Sequence, residues 1–428
     1  MLRDVRRLCS CSAMPLGCAL AALWTMPASA QSDIKLFTPA TVEVSGDMRL
    51  VAVDGERSWV EGAFGKLRSG SDGDLKVQPQ LGNAALVWKP QLSWALGATV
   101  VGMVEGGQRT EAGLSQAYLT YRPMRGTNVA FSARAGLMWP PISLEHEGAD
   151  WHVKDSITPS AINTWIGEEV RPVAAEATIA ASLGANKLRA TAALMAANDT
   201  SATLLTFRGW ALHDRTTLAF HRQLLPPFDG PIESVQAPFT HPLLDVPHGF
   251  ASRPGYYAKL GWQLPVPVRV ELFRYDNRAN PEIASSEHEW GWRTTFNHVG
   301  MVAELGSGAV LKVQALEGST RMGFPRPLTR WVDARFHAAF AMISRPIGTI
   351  TLTGRLDAFD LRNRGSLVDS EYDDTGWAAM LAAKHDWKHV TGLLELLHVQ
   401  SRRDDRDEAA VAPRQDQMQL QAEVRMHW

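Results

Sequence analysis

Cysteine is the first scarcity. The 428 residues contain three, Cys9, Cys11 and Cys18, all near the start. Without the first 30 residues the chain has no disulfide, no thiolate metal site and no cysteine nucleophile. An excess of one charge is missing too. With 43 Lys and Arg against 45 Asp and Glu, the chain lacks the basic surplus of a phosphate-backbone binder, so nucleic acid is not an expected partner. After residue 30 there is no uninterrupted apolar run of about 18 residues, so no helix is expected to cross a membrane. The patterns G-x-S-x-G, H-E-x-x-H, the Walker loop and the dinucleotide glycine motif are absent as well. At 45% hydrophobic and 21% charged, the chain must nevertheless fold around a large buried surface.

What is present begins with the N-terminus. Arg3, Arg6 and Arg7 precede an apolar stretch, residues 13–26, and Ala28-Ser29-Ala30 has the form of a cleavage site before Gln31. Residues 1–30 are therefore expected to be a secretory signal, cleaved near Ala30. A lipoprotein signal at Cys18 is the alternative. Pro15-Leu16-Gly17 is a poor lipobox, however, and the apolar run continues past the cysteine.

Period-two alternation is the dominant pattern of the remainder. From Met418 to Trp428 every even position is apolar and every odd one is polar or charged. Ile350, Leu352 and Leu356 alternate with Thr351, Thr353, Arg355 and Asp357, and Leu188, Ala190, Ala192 and Leu194 alternate with Arg189 and Thr191. Ala334, Phe336, Ala338 and Phe340 likewise alternate with Asp333, Arg335 and His337. One such strand would suit a soluble sandwich, but repetition along the chain suits a membrane barrel with apolar residues toward lipid.

Short turn signals fall near Lys89-Pro90, Pro123 to Gly126, Gly184 to Asn186, His213-Asp214, Pro265 to Pro267, Gly306 to Gly308, Arg345 to Gly348 and His385-Asp386. Longer polar loops, 55–75, 139–170, 225–253, 363–372 and 402–415, alternate with them. The predicted fold is all-β: a transmembrane antiparallel β-barrel of about 18 strands, 16 with one turn fewer, having short periplasmic turns and long external loops. Trp88, Trp94, Tyr121, Trp210, Trp262, Trp387 and Trp428 lie where interfacial girdles belong, near strand ends. The terminal Trp after alternating apolar residues resembles the C-terminal signal of the outer-membrane barrel assembly machinery.

If apolar residues face lipid, the alternate positions line a lumen. They include Arg49, Arg134, Arg189, Arg208, Arg269, Arg293, Lys312, Arg335, Arg355 and Arg425, against Asp47, Glu271, Asp333, Asp357, Glu395 and Glu423. A row of arginines suits serial weak binding of anions. The competing reading is that these cations pair with acids across strands and only hold the wall together.

The loop from Trp139 to Val170 combines Pro140-Pro141, a short helix predicted from Ser160 to Ile166 and many acids with a set of apolar residues, the mark of a packed element. Folded into the lumen it would set Glu145, Glu147, Asp150, Glu168 and Glu169 opposite the arginines as a constriction. It could instead cap the barrel from outside. The stretch GLMWPPISLE, Gly136 to Glu145, and FRGWALHDRTTLAFHR, Phe207 to Arg222, resemble loop three and a later hairpin of the phosphate-selective porin O/P family. The resemblance covers roughly residues 113–225 and the last strand, and it implies a homotrimeric outer-membrane porin with loop three narrowing the lumen. Lysines are few, and DSITPSAINTWIGEE (Asp155 to Glu169) does not align with a phosphate site, so phosphate selectivity does not carry over.

Two other function classes fit parts of the pattern. In an outer-membrane enzyme, Glu168 and Glu169 would serve acid/base chemistry, or His146 and His152 would join Glu145 and Asp150 on a metal. A soluble periplasmic β-rich binding protein would share the signal and the alternation, but not the terminal Trp strand or the one-sided loop lengths. The expectation is a passive diffusion channel for small hydrophilic solutes, possibly anionic, in the outer membrane, not an enzyme, with no cofactor or metal. Its partners are outer-membrane lipid and lipopolysaccharide.

Overall fold

The chain closes on itself. The computed structural model describes residues 34–106, 111–123, 128–228, 230–246, 253–325 and 330–428, the expected signal lying outside them. Sixteen antiparallel strands form one closed barrel, each paired with its sequence neighbour and the last with the first. They are β1 (Val42–Asp54), β2 (Lys76–Trp88), β3 (Leu96–Glu105), β4 (Ala112–Tyr121), β5 (Val129–Leu137), β6 (Val173–Leu183), β7 (Asn186–Ala196) and β8 (Gly255–Gln263). The second half continues with β9 (Val268–Asp276), β10 (Arg293–Glu304), β11 (Val310–Pro325), β12 (Arg330–Ile347), β13 (Ile350–Asn363), β14 (Asp374–Asp386), β15 (Val390–Arg403) and β16 (Arg414–His427). Closure leaves no strand edge unpaired, the condition for backbone to cross a bilayer as sheet.

Seven of the eight short turns fall where the sequence put them, part of the one at Pro123 to Gly126 lying outside the described residues. The exception, His213-Asp214, explains the excess of two strands. Phe207 to Arg222 is not a hairpin of the wall: it belongs to the long connection between β7 and β8, of which residues 198–213 are all buried inside the barrel. A short helix there, α2 (Thr203–Arg208), is wholly buried, and Trp210, expected in an interfacial girdle, is buried with it.

On β16, β13 and β7 the outward positions are apolar as expected. Leu356 and Leu381 are 64% and 66% exposed, beside Met418, Leu420 and Val424 on the same outer surface. On β12 the faces are the reverse of expectation. Ala334, Phe336, Ala338 and Phe340 point inward and are buried, while Arg335 and His337 point outward. The reason lies in what fills the barrel. Loop 138–172 with its helix α1 (Ala161–Glu169) and the 197–254 connection both fold inside, so this part of the wall packs against protein instead of water.

The filling is apolar and continuous. Trp165 and Trp210 meet edge-on at 6.0 Å, and Trp165 also meets Phe296 at 5.2 Å and Phe336 at 5.1 Å. Val51 of β1, Met195 of β7, Phe359 of β13 and Leu397 of β15 join the same cluster, which therefore spans the barrel from wall to wall. A second cluster around Trp59, Phe207, Trp290 and Tyr372 seals the long-loop end. Because Leu356 faces lipid, Leu356→Arg is expected to cost about 2–4 kcal/mol in a folded-barrel stability assay. Phe359→Arg, aimed into the packed interior, should abolish folding, and equal tolerance of both would refute the facing.

Candidate functional site: the filled lumen

Helix α1 starts where Ser160 stops the preceding turn, its hydroxyl accepting from the Asn163 N–H as an N-cap. Its position is fixed from the wall. Arg355 on β13 donates to Glu145 at 3.0 Å, to Asp357 at 2.7 Å, and to the carbonyls of Thr158 (2.7 Å) and Pro159 (3.0 Å). Glu395 on β15 accepts from the N–H groups of Ile157 (2.7 Å) and Thr158. Glu145 also accepts from the Ser160 N–H and from the Asn163 amide, so it locks the loop and does not line an opening.

The two adjacent acids are buried as well. Glu168 binds Arg208 at 2.5 and 2.7 Å and lies 2.8 Å from His213 Nε2. Glu169 accepts from the N–H groups of Leu204 (2.9 Å) and Leu205 (3.1 Å) at the start of α2, and from Trp165 Nε1. Together they join α1 to α2. Arg208 was expected on the wall but stands on α2, buried between Glu168 and the ring of Trp59. At its C-terminus α2 is held by Arg403 of β15, which donates to the carbonyls of Thr206 and Phe207, and by Gly209. Gly209 takes φ +81°, and a Cβ there would stand 2.3 Å from the Asp374 carboxylate. That carboxylate accepts from the Trp210 N–H and from buried Lys66.

These carboxylates titrate in opposite directions. Burial would raise Glu168, but Arg208 and His213 overcome it and hold the group down at about 2. Burial pushes Glu169 up to about 7 against the helix N–H groups, with Glu168 adding repulsion. From an ordinary value of 4.5, the Glu168 contribution is present above that value and is lost as pH falls toward 2. The Glu169 contribution is present below 4.5 and is lost as pH rises through 7. The α1–α2 joint is thus expected to be tightest near pH 4.5 and to loosen on both sides. Hydrogen exchange of the Leu204 and Leu205 amides against pH checks this, and Glu169→Gln should flatten only the upper limb.

The remaining predicted residues divide. Glu147 is exposed and pairs with Lys154 at 2.9 Å. Asp150 accepts from Ser45 of β1 and is 2.9 Å from His152 Nδ1. Burial beside His152 lowers His146 to about 3, and its ring stacks on Trp151 at 3.6 Å. Among the described residues no three His, Asp or Glu side chains group to hold a metal. Arg49, Arg134, Arg189, Arg269, Lys312, Arg355 and Arg425 lie on the inner face. Arg293 and Arg335 do not: both lie on outward positions, because β10 and β12 turn their other face to the filling.

Most inner cations are spent on acids. Arg49 binds Asp47 (2.5 Å), Asp214 (2.8 Å) and Glu423 (2.9 Å), and Arg68 binds Glu105 (3.0 Å) and Asp214 (3.1 Å). Arg134 pairs with Glu176 at 2.8 Å, and Arg425 with Glu423 at 2.7 Å. Sequence reasoning missed Arg68 and Asp214, since one lies in loop 55–75 and the other was taken for a turn. Only the inner-face residues of β1 and β16 pointed to the network they complete. Next to it a cavity of about 30 Å³ is lined by Asp47, Arg49, Asp150, Trp151 and Arg425.

A sixteen-stranded closed barrel with short turns on one side, loops on the other and an apolar outer face has a clear counterpart. The chain has the outer-membrane β-barrel fold. The outer membrane channel DcaP of Acinetobacter baumannii superposes with a TM-score of 0.54 at 10% identity, covering 92% of this chain and 99% of that one. The anion-selective porin from Comamonas acidovorans (10% identity, 91% and 99% coverage, TM-score 0.49) and OmpT of Vibrio cholerae (10%, 93% and 100%, 0.47) fit more loosely. No protein-family model matches, and no curated protein matches. The porin O/P likeness therefore rests on its short motifs alone, one of which, 207–222, lies in the filling and not in a hairpin.

Proposed function

We propose that this chain is an outer-membrane porin-type channel for small hydrophilic solutes, whose lumen is narrowed by its own loops. The observation that carries it is the combination of a closed barrel with an apolar outer face and an inner wall that bears Asp47 and Arg49 on β1 and a run of buried glutamines followed by Glu423 and Arg425 on β16. A wall meant only to hold a core would be apolar throughout, as it is on β12. The expected cleavage near Ala30 fits export to that membrane. A preference for anions gains no support from inner-face arginines such as Arg49, Arg134 and Arg355, which carboxylates neutralise.

Enzymatic use of Glu168 and Glu169 is disfavoured by their burial and by the partners that occupy their oxygens. We carry the homotrimer forward as part of this reading. It is supported by a flat outer strip in which Ala133, Ala177, Ala192 and Ala258 stand side by side on four strands. The test is single-channel recording of the folded protein in a planar bilayer under a salt gradient. Small conductance steps grouped in threes, with a reversal potential near zero, are expected. Folded protein that passes no current would end the channel reading.

A further inference from the structure

The inner face of β16 carries an unbroken run of amides. Gln415, Gln417, Gln419 and Gln421 follow one another at alternate positions, all buried, and Glu423 and Arg425 continue the line. On β10 to β14 the inner face instead carries Phe296, Leu316, Phe336, Phe359 and Met380 of the apolar cluster. Two of the four amides anchor the filling. Gln417 accepts from the Lys66 N–H at 2.8 Å, and Gln421 donates to Thr158 Oγ1 at 3.1 Å and to Glu395. The other two do not. Both polar atoms of Gln415 and the oxygen of Gln419 are buried without a hydrogen-bond partner.

Burying an amide atom unbonded is costly, and a seam that was only a packing surface would be served better by Leu. The wall beside Gln419 is in fact apolar, with Val53 and Leu397 as its paired neighbours, so the amides form a single polar line. At the short-turn end the line meets the cavity of about 30 Å³ at Arg425. That volume accommodates one or two waters. Around it Arg49 is balanced by Asp47, Asp214 and Glu423, so a solute meets fixed dipoles and compensated charges.

We propose that the conduit of this barrel is the seam between β16 and the lumen filling, with Gln415 and Gln419 as its free rungs. Its solutes are small and uncharged, each carrying both a hydrogen-bond donor and an acceptor, as polyols and simple amides do. This rests on the channel reading above. A compact neutral solute replaces at each rung the bonds it leaves at the last, whereas an ion would lose hydration that balanced ion pairs do not return.

Because residues 31–428 contain no cysteine, single cysteines report cleanly. In the folded protein in liposomes, Gln415→Cys and Gln419→Cys should react with a small neutral methanethiosulfonate about tenfold faster than Phe336→Cys in the packed half. Modification should slow glycerol-driven swelling, and Gln419→Leu should slow it without any reagent. If swelling proceeds while both cysteines are as unreactive as Phe336→Cys, the seam is not the path although the channel reading stands. If the folded protein passes neither glycerol nor current, the channel reading falls and takes the conduit with it, however the cysteines react.

Discussion

Replacing residues 198–253 with a two-residue turn is expected to raise single-channel conductance several-fold, toward that of an open barrel of this strand number. The cut is compatible with the wall. Strands β7 and β8 pair directly from Met195 and Gly255, so the excised segment leaves a ready hairpin. It would remove α2, the Arg208 partner of Glu168, and the Leu205, Trp210 and Leu212 side chains of the main apolar cluster. Phe336 would then lose Trp210 while keeping Trp165, so thermal stability should fall as conductance rises. Unchanged conductance in a folded variant would mean that the segment does not occlude the lumen.

The second large effect concerns the lock on the other inserted loop. Arg355→Met is expected to cost about 3–5 kcal/mol, because it leaves Glu145 and Asp357 buried without their cation. It also strips the Thr158 and Pro159 carbonyls of their donor. Denaturant unfolding monitored by the loss of the compact, heat-modifiable form measures it. Arg355→Lys should lie between, since an ammonium retains the charge but not the planar fork. Adding Glu145→Gln and Asp357→Asn to Arg355→Met should recover part of the loss, and strictly additive losses would refute the coupling. In recordings the single variant should turn steady steps into flickering ones as loop 138–172 loosens from β13.

How much of this could be read in advance depended on which physical rule was in play. Strand period and turn chemistry are local, and they located the closing strand and seven short turns. Alternation states that two faces differ without stating which is inside. On β16 and β13 the polar face was inward and the inference held. On β12 it failed because Phe336 and Phe340 meet Trp165 and its surroundings instead of lipid. The Phe207 to Arg222 segment misled for a related reason. Inside a filled barrel, a connection is as apolar as a strand, and Arg208 looked like a lumen-facing residue and His213-Asp214 like a turn, when they serve as partners for Glu168, Arg49 and Arg68. The loop acids go to separate partners and not to one constriction, and pairing such as Arg355 with Glu145 joins positions far apart in sequence, so spacing carries no trace of it.

The seat of loop 138–172 lies on the last strands to be made. Glu395 of β15 and Gln421 of β16 grip Ile157 and Thr158, while Ser45 of β1 holds Asp150. Those same three strands form the junction at which the sheet becomes a cylinder. Around that junction the long-loop mouth is packed with Trp59, Phe207 and Trp290, so the 35-residue loop seated inside is expected to enter before the sheet closes. Biogenesis therefore has an order written into it: the interior must be furnished while the sheet is still an open ribbon, and the terminal strand zips shut around contents already in place.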